Sequence, residues 1–222
     1  MSRVSPGDQR TAWQSSSLLL DYPDVRLLDR LPLLARVADG LPPPVGAPLR
    51  RTVSALAARD LRDLESTYVE TFDDTRRNSL FLTYFAHGDT RKRGMALLRF
   101  RHVYRAAGYE DSPTELPDHL CVVLEFAATI DPEAGRGLML DHRAGLEVLR
   151  LSLADSGSPW AGAVEAVCAT LPPLRGDETE AIRRLAADGP PEEEVGLAPY
   201  GGDGPTLLPM PTMPAPTQAG AR

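Results

Sequence analysis

The sequence predicts an all-α protein with a single main domain. Its 222 residues, 42% hydrophobic and 25% charged, have the length and composition of one globular domain. Aromatic residues make up only 6% of the chain, so the core must be built chiefly from Leu, Val and Ala, which favours packed helices over sheets. Apolar residues recur at helical spacing in several segments, and no alternating β-branched run indicates a strand.

The predicted helices begin at capping residues or prolines. A short oxygen side chain satisfies the first N–H groups of a helix, and a proline in the first turn sacrifices no hydrogen bond. The strongest pattern follows the cap Asp60, where Leu61, Leu64, Tyr68 and Phe72 form one apolar stripe. The expected helices cover residues 11–20, 24–38, 48–58, 61–72, 91–105, 117–130, 132–154, 159–171 and 178–187, and residues 80–86 form a short element of undecided type.

Three segments differ in composition. Residues 1–10 are expected to be a flexible N-terminus and residues 11–188 the helical domain. Residues 189–222 contain eight prolines and almost no helical periodicity, so we expect a disordered tail that buries too little to offset its ordering entropy. Two distant cysteines give no disulfide framework. With no signal-peptide core or membrane span in the sequence, we expect a cytoplasmic protein.

Charge is segregated along the chain. The net charge is −7, which argues against a general nucleic-acid or membrane-surface binder. Residues 91–105 contain six Lys or Arg residues and no acid, whereas residues 110–141 contain eight carboxylates and one arginine. Two interpretations stay open. The basic helix can pair with the acidic stretch across a helical hairpin, or Arg91, Lys92 and Arg93 can contact an anion or cofactor.

The sequence lacks a visible catalytic constellation. His119 and Cys121 lie two residues apart on a helix and point in nearly opposite directions, so they cannot share a hydrogen bond. P-loop, dinucleotide-binding and nucleophile-elbow motifs are absent from the sequence. We therefore expect neither metal nor cofactor. The alternative from another class is a helical metal-dependent phosphohydrolase whose metal is held by His87, Asp89, Asp118 and His119, although its Asp-His dipeptides run opposite to the usual His-Asp order.

Three motifs carry a resemblance to a known family. They are YVETFD at residues 68–73, LTYFAHGDTRKRGMALLRF at 82–100 and ELPDHLCVVLEFA at 115–127. With them, the chain from about residue 11 to 174 resembles the NarJ-type nitrate reductase assembly chaperones, also called delta subunits, which are relatives of the TorD and DmsD chaperones. Cys121 departs from the pattern, since many relatives have proline there.

The resemblance implies a cytoplasmic, non-enzymatic helical chaperone of nitrate respiration. Such a protein binds the N-terminal leader of the catalytic (alpha) subunit of nitrate reductase and holds that subunit ready for molybdenum cofactor insertion. It contacts no nucleic acid and does not insert into membranes. The family's leader-binding hallmark, an Asp-His pair after a proline, falls on Pro117, Asp118 and His119. The further leader-binding residues that we predict are Tyr68, Phe72, Tyr84, His87, Asp89 and Glu125.

The polar junctions at residues 84–94 and 115–126 flank the basic helix, and we expect them to face a common surface. An amphipathic cationic leader could lay its apolar face in a groove between helices there, while carboxylates such as Asp118 and Glu125 meet its Lys or Arg side chains.

Overall fold

The computed structural model describes residues 4–88, 90–110 and 115–189. The predicted all-α class is confirmed: in these ranges there are eleven α-helices, and the only β pairing is an isolated bridge between Phe81 and His119. The helices are α1 (Pro6–Leu20), α2 (Val25–Gly40), α3 (Pro43–Ala57), α4 (Leu61–Tyr68), α5 (Tyr84–His87), α6 (Arg91–Ala106), α7 (Leu120–Thr129), α8 (Pro132–Asp141), α9 (Arg143–Asp155), α10 (Ala161–Thr170) and α11 (Gly176–Asp188). The π-helix Val69–Asp73 continues α4, and the 3₁₀ turn Arg76–Asn78 follows it.

Helices α1 and α10 form the centre of one hydrophobic core. Helix α1 packs against α7 on one side and α10 on the other, and α10 also packs against α3 and α9. Serines on the buried side of α1 bond to its neighbours: the hydroxyl of Ser16 donates to the Ala163 carbonyl at 3.0 Å and that of Ser17 to the Cys121 carbonyl at 2.9 Å. The hydroxyls of Ser16 and Ser17 thus have partners, which avoids the cost of leaving them unsatisfied.

The first helix starts earlier than predicted. It begins at Pro6 because Ser5 and Asp8 form a capping box, in which the Ser5 hydroxyl accepts from the Asp8 N–H and the Asp8 carboxylate accepts from the Ser5 N–H, both at 3.1 Å. The predicted start at residue 11 and the flexible segment 1–10 are therefore wrong for residues 6–10, which are helical. Residues 1–3 lie outside the described ranges.

Helix α3 also starts earlier than predicted, at Pro43 instead of Pro48. Pro48 lies one and a half turns inside the helix, where its carbonyl oxygen faces Gly162 of α10. A Cβ atom on Gly162 would lie 2.1 Å from that oxygen, so only glycine permits this approach of the two helices. Pro32 likewise lies inside α2 and does not end it.

The cap and stripe around α4 are as predicted for most positions. The Asp60 carboxylate accepts from the Asp63 N–H at 2.9 Å, and Leu64, Tyr68 and Phe72 are buried. Leu61 is half-buried at the first turn. The undecided segment 80–86 is the single bridge followed by α5.

The single helix predicted over residues 132–154 is wrong. Two helices occupy this stretch, α8 and α9, because His142 has a non-helical backbone at φ −111° and ψ 22°. Its ring lies 5.2 Å from that of Phe100 in α6, and the carboxylate of Asp141 binds Arg99 at 2.6 Å. Contacts with α6 therefore coincide with the corner at which the chain turns.

The proposed proline-rich tail falls almost wholly on residues 190–222, which lie outside the described ranges, so its disorder stays a prediction. Among the residues that the structure describes, no helix has both the length and the apolar character needed to cross a membrane.

Candidate functional site

The two polar junctions lie side by side. The Leu82 N–H donates to the Asp118 carbonyl at 3.0 Å, and the Leu120 N–H donates to the Leu80 carbonyl at 2.8 Å. The rings of Phe81 and His119 stand edge to face, 5.1 Å apart. This pairing brings together two segments that are separated in the sequence by the whole of α6. Phe81 and His119, one from each segment, both line the pocket beside it.

The pairing also explains why Pro117 does not lie in the first turn of a helix. The helix predicted over residues 117–130 was expected to begin there, and this start is wrong. Helix α7 begins three residues later, at Leu120. Pro117 is buried, and its carbonyl accepts a hydrogen bond of 2.6 Å from the Tyr104 hydroxyl. Pro117 and Asp118 form a turn instead, which is closed by a 3.0 Å hydrogen bond from the His119 N–H to the Leu116 carbonyl, and α6 and the chain at residues 80–82 hold this turn in place.

The side chain of Asp118 is completely buried. One carboxylate oxygen accepts from the Thr83 N–H at 3.1 Å and from the Thr83 hydroxyl at 2.5 Å, and it lies 3.6 Å from Nη2 of Arg93. The Arg93 Nε also donates to the Thr83 hydroxyl at 3.1 Å. In this conformation Asp118 therefore joins the start of α5, the start of α6 and the segment before α7, and it is not accessible to a bound peptide.

Next to this junction is a pocket of about 250 Å³ between the end of α1, the π-helix and residues 79–81 and 115–119. Its aromatic wall consists of Tyr22, Tyr68 and Phe72. The Tyr68 ring centroid lies 5.3 Å from that of Tyr22 and 4.7 Å from that of Phe72. The ring of the buried Trp160 packs against those of Tyr68 and Phe72, at 5.4 Å from each.

The hydroxyl of Tyr68 is fixed as a donor. It bonds to the Leu20 carbonyl at 2.9 Å, and burial raises the pKa of this phenol well above its ordinary value. Tyr22, by contrast, is 48% exposed. The wall thus offers one free aromatic face on a rigid base, which is a suitable surface for an apolar side chain or a cation.

Three exposed carboxylates surround the pocket: Asp21 after α1, Asp73 at the end of the π-helix, and Glu115 before α7. Among the residues that the structure describes, no Lys or Arg side chain lines this pocket. Its electrostatic character is therefore negative, and it favours a positively charged partner.

His119 lies at the base of the pocket and is 9% exposed. Burial lowers the pKa of its imidazole below the usual 6.5, although the nearby carboxylates of Glu115, Asp21 and Asp118 oppose this shift. The ring is therefore neutral at pH 7. Its Nδ1 atom is buried and has no hydrogen-bond partner among the described residues.

The structure separates the other predicted site residues from this pocket. Glu125 is exposed on α7, while Tyr84 and His87 are half-buried on α5, and none of the three lines the pocket. The Tyr84 ring faces that of Phe85 at 6.2 Å. Asp89 lies outside the described residues.

The basic residues at the start of α6 have different surroundings. Arg91 and Lys92 are exposed, whereas Arg93 turns inward, toward Asp118 and over the Phe81 ring at 5.2 Å. With the Arg99–Asp141 bridge, this gives two pairs between the basic helix and the acidic stretch. The interpretation of charge pairing across the chain is confirmed for these two arginines.

The geometry does not favour the alternative function, a metal-dependent phosphohydrolase. Within the described ranges, no group of three or more His, Cys, Asp or Glu side chains is arranged to hold a metal ion. The Asp118 carboxylate, one of the four candidate ligands, already accepts two bonds from Thr83.

Comparison with known proteins places these features in a family context. Residues 38–166 match the family model described as the nitrate reductase delta subunit. A Bacillus subtilis protein described as a probable nitrate reductase molybdenum cofactor assembly chaperone, NarJ, is 29% identical over 168 residues, which cover 74% of this chain and 90% of the relative. The Escherichia coli K12 NarJ assembly chaperone is 33% identical over 126 residues, or 55% of this chain and 53% of that protein.

A much longer relative also matches. The nitrate reductase-like protein NarX of Mycobacterium tuberculosis is 44% identical over 158 residues, which are 71% of this chain. The match spans only 24% of NarX, so the chain corresponds to about a quarter of the length of that relative. The family model covers more than half of the chain, including both paired junctions and the aromatic residues Tyr68 and Phe72. The chain therefore belongs to the nitrate reductase delta subunit family.

Proposed function

We propose that this protein is an assembly chaperone for a respiratory nitrate reductase. It binds the N-terminal leader of the catalytic alpha subunit and keeps that subunit competent for molybdenum cofactor insertion. Membership of the delta subunit family supports the chaperone role, since the two NarJ relatives are described as molybdenum cofactor assembly chaperones. The chain acts by binding and is not an enzyme.

One observation carries the leader-binding proposal: the pocket joins an aromatic wall to a ring of carboxylates. A cationic amphipathic helix presents apolar side chains on one face and Lys or Arg at its edge. Its apolar face would cover Tyr22, Tyr68 and Phe72, and its cations would lie near Asp21 and Asp73. Exposed ion pairs contribute about 0.2–1 kcal/mol each, so the aromatic contacts supply most of the affinity and the charges supply specificity.

The Asp-His pair has divided roles in this proposal. His119 contributes to the base of the pocket. Asp118 acts through its bonds to Thr83, which hold the segment at residues 80–83 against residues 117–120. Asp118 is thus a positioning residue for the binding site, in place of the direct contact expected from the sequence.

Titration with a synthetic peptide tests the proposal. The peptide copies about the first 15 residues of the partner alpha subunit, a length that forms about four helical turns. We expect 1:1 binding by calorimetry and a gain of helical signal by circular dichroism. Ordering the peptide costs about 2–5 kcal/mol, so the affinity will be below that suggested by the contact area.

Variants of the pocket make the test specific. The triple substitution Asp21→Asn, Asp73→Asn and Glu115→Gln should weaken binding at least about tenfold at low salt, and less at high salt where charges are screened. Asp29→Asn, an exposed carboxylate of α2 outside the pocket, is the matched control and should bind normally. Absence of binding by the native protein at every salt concentration and pH, or equal binding by the triple variant, would rule out this site.

A further inference from the structure

Helix α6 exposes an amphipathic stripe to solvent. Residues at alternating spacings of four and three lie on one face of a helix, and here those positions are Arg91, Met95, Leu98, His102 and Arg105. Met95 is 72% exposed and Leu98 is 45% exposed, so the described chain leaves the centre of the stripe open.

The opposite face of α6 attaches the helix to the protein. Phe100 and Tyr104 are its only two buried residues, so α6 lies at the edge of the core. Residues 91–105 include six Lys or Arg residues and no Asp or Glu, although the net charge of the whole chain is −7. The stripe therefore combines two exposed apolar side chains with flanking cations, and it is complementary to an acidic segment that also carries apolar residues.

The C-terminal part of α11 and the middle of α6 both lie against the corner between α8 and α9. Leu185 of α11 lines a cavity of about 100 Å³ together with Asp141 and His142. Asp141 binds Arg99 of α6 at 2.6 Å, and the His142 ring lies 5.2 Å from that of Phe100. One turn beyond Leu185, Gly189 ends the helix with φ +76° and bonds back to the Leu185 carbonyl at 3.0 Å.

An acidic cluster follows at once in the sequence. Glu192, Glu193 and Glu194 come three to five residues after Gly189, and Val195 and Leu197 come next. An extended chain spans at most about 3.3–3.6 Å per residue, so these carboxylates can reach roughly 10–18 Å from Gly189. We infer that residues 192–197 dock on the exposed stripe of α6, with the glutamates near Lys92 and Arg105 and the apolar pair over Met95 and Leu98.

The contact between residues 192–197 and the α6 stripe is weak, but it is favoured because both belong to one chain. Ion pairs between exposed side chains contribute little individually and are screened by salt. A short linker gives its two ends an effective concentration in the millimolar range, so even a weak contact is populated within one molecule. Docking is thus partial and sensitive to salt. This inference concerns α6 and the acidic cluster, and it holds whether or not the pocket binds a leader.

Disulfide trapping in the full chain tests it. Met95→Cys combined with Val195→Cys should form an intramolecular disulfide under mild oxidation. The control pairs Val195→Cys with Leu33→Cys, an α2 position that is 52% exposed. The native Cys121 and Cys168 do not compete, since both are buried and burial raises the pKa of each thiol. We expect the 95–195 pair to form at least about tenfold faster than the 33–195 pair, with the advantage lost at high salt.

Charge reversal separates specific docking from chance encounter. Glu192→Lys, Glu193→Lys and Glu194→Lys together should slow the 95–195 reaction to the control rate, and adding Lys92→Glu and Arg105→Glu should restore it. Equal rates for the 95–195 and 33–195 pairs, or no effect of charge reversal, would overturn the inference. Disulfide-linked dimers through residue 95 that depend on protein concentration would also overturn it, because a second copy would then occupy the stripe.

Discussion

At the scale of single residues, Asp118 and His119 are neighbours that face different surroundings. The carboxylate of Asp118 is enclosed by Thr83 and Arg93, while the imidazole of His119 opens on the pocket. The Asp118 side chain therefore supports the junction, whereas the His119 side chain contributes to the pocket. Substitution of each should therefore affect different properties.

Asp118→Ala should lower both stability and peptide binding. The change leaves the Thr83 N–H and hydroxyl without their buried acceptor and removes the carboxylate that lies 3.6 Å from Arg93, which we expect to reduce the free energy of unfolding by about 2–5 kcal/mol. Urea denaturation measures this loss. Asp141→Ala, which breaks the more exposed pair with Arg99, is the control and should cost less than about 1 kcal/mol. If Asp118→Ala bound peptide poorly at unchanged stability, direct contact between this carboxylate and the peptide would be indicated instead.

His119 should make the protein less stable below about pH 6.5. Its pKa is lowered in the folded state, so below the unfolded value of 6.5 the unfolded chain takes up the proton more readily. The free energy of unfolding therefore falls as the pH drops from 6.5 to the lowered folded pKa. Burial also lowers the pKa of His142, which adds to the same slope. Melting curves at several pH values should show a shallower slope for His119→Gln and, separately, for His142→Gln. A slope that neither change reduces would contradict the assignment.

Peptide binding should weaken over the same pH range. Protonation of His119 adds a positive charge beside Asp21, Asp73 and Glu115, which reduces the attraction of the pocket for a cationic peptide. Calorimetry at falling pH should therefore show a rising Kd for the native protein and a smaller change for His119→Gln. An identical pH dependence in the two proteins would assign the effect to other groups.

At the scale of the helix, the position of a glycine decides where two helix backbones can approach each other closely. Helix α8 contains two glycines two residues apart. A Cβ atom on Gly135 would lie 2.4 Å from the Cβ of Ala127 in α7, whereas one on Gly137 would meet nothing within 4 Å. Sequence pattern does not distinguish the two positions, since both lie within one helix, but the packing of α7 on α8 does.

Alanine substitution at these glycines should have opposite effects. Gly135→Ala forces the backbones of α7 and α8 apart and should destabilise the protein by about 1–3 kcal/mol. Gly137→Ala should be neutral or stabilise by up to about 1 kcal/mol, because alanine restricts the unfolded chain and favours helix. Thermal melting of the two variants side by side gives the comparison. Similar melting temperatures would show that α8 can shift on α7 without cost.

At the scale of the whole molecule, the described helices share one hydrophobic core. The hydrophobic cluster extends from α1 to α11, where Ile182 is 6% exposed. Truncation after Gly189 should therefore leave the melting temperature within about 2–4 °C of that of the full chain. The truncated protein should also bind the leader peptide. A fall of more than several degrees would show that residues 190–222 contribute to the core, and tighter leader binding would show that they compete for the pocket.

The sequence by itself determined the all-α class and most helix positions. These depend on apolar spacing and on caps such as Asp60, which act over three or four residues and can be read locally. The tertiary structure alone decided the corner at His142, whose ring packs against Phe100 of α6, and the close approach of Pro48 in α3 to Gly162 in α10, because these contacts join residues that are far apart in the sequence.

The candidate site divides in the same way. Tyr68, Phe72 and His119 were predicted from their motifs and do line the pocket, but Asp21, Tyr22, Asp73 and Glu115 were not predicted. Glu115 and Asp73 lie within the recognised motifs, yet no local signal shows which way their side chains point. Asp21 and Tyr22 lie about 100 residues from His119 in the chain, and only the packing of α1 against α7 brings them to the same pocket. Burial of Asp118 likewise follows from pairing between segments on either side of α6, because long-range contacts of this kind leave no periodic trace in the sequence.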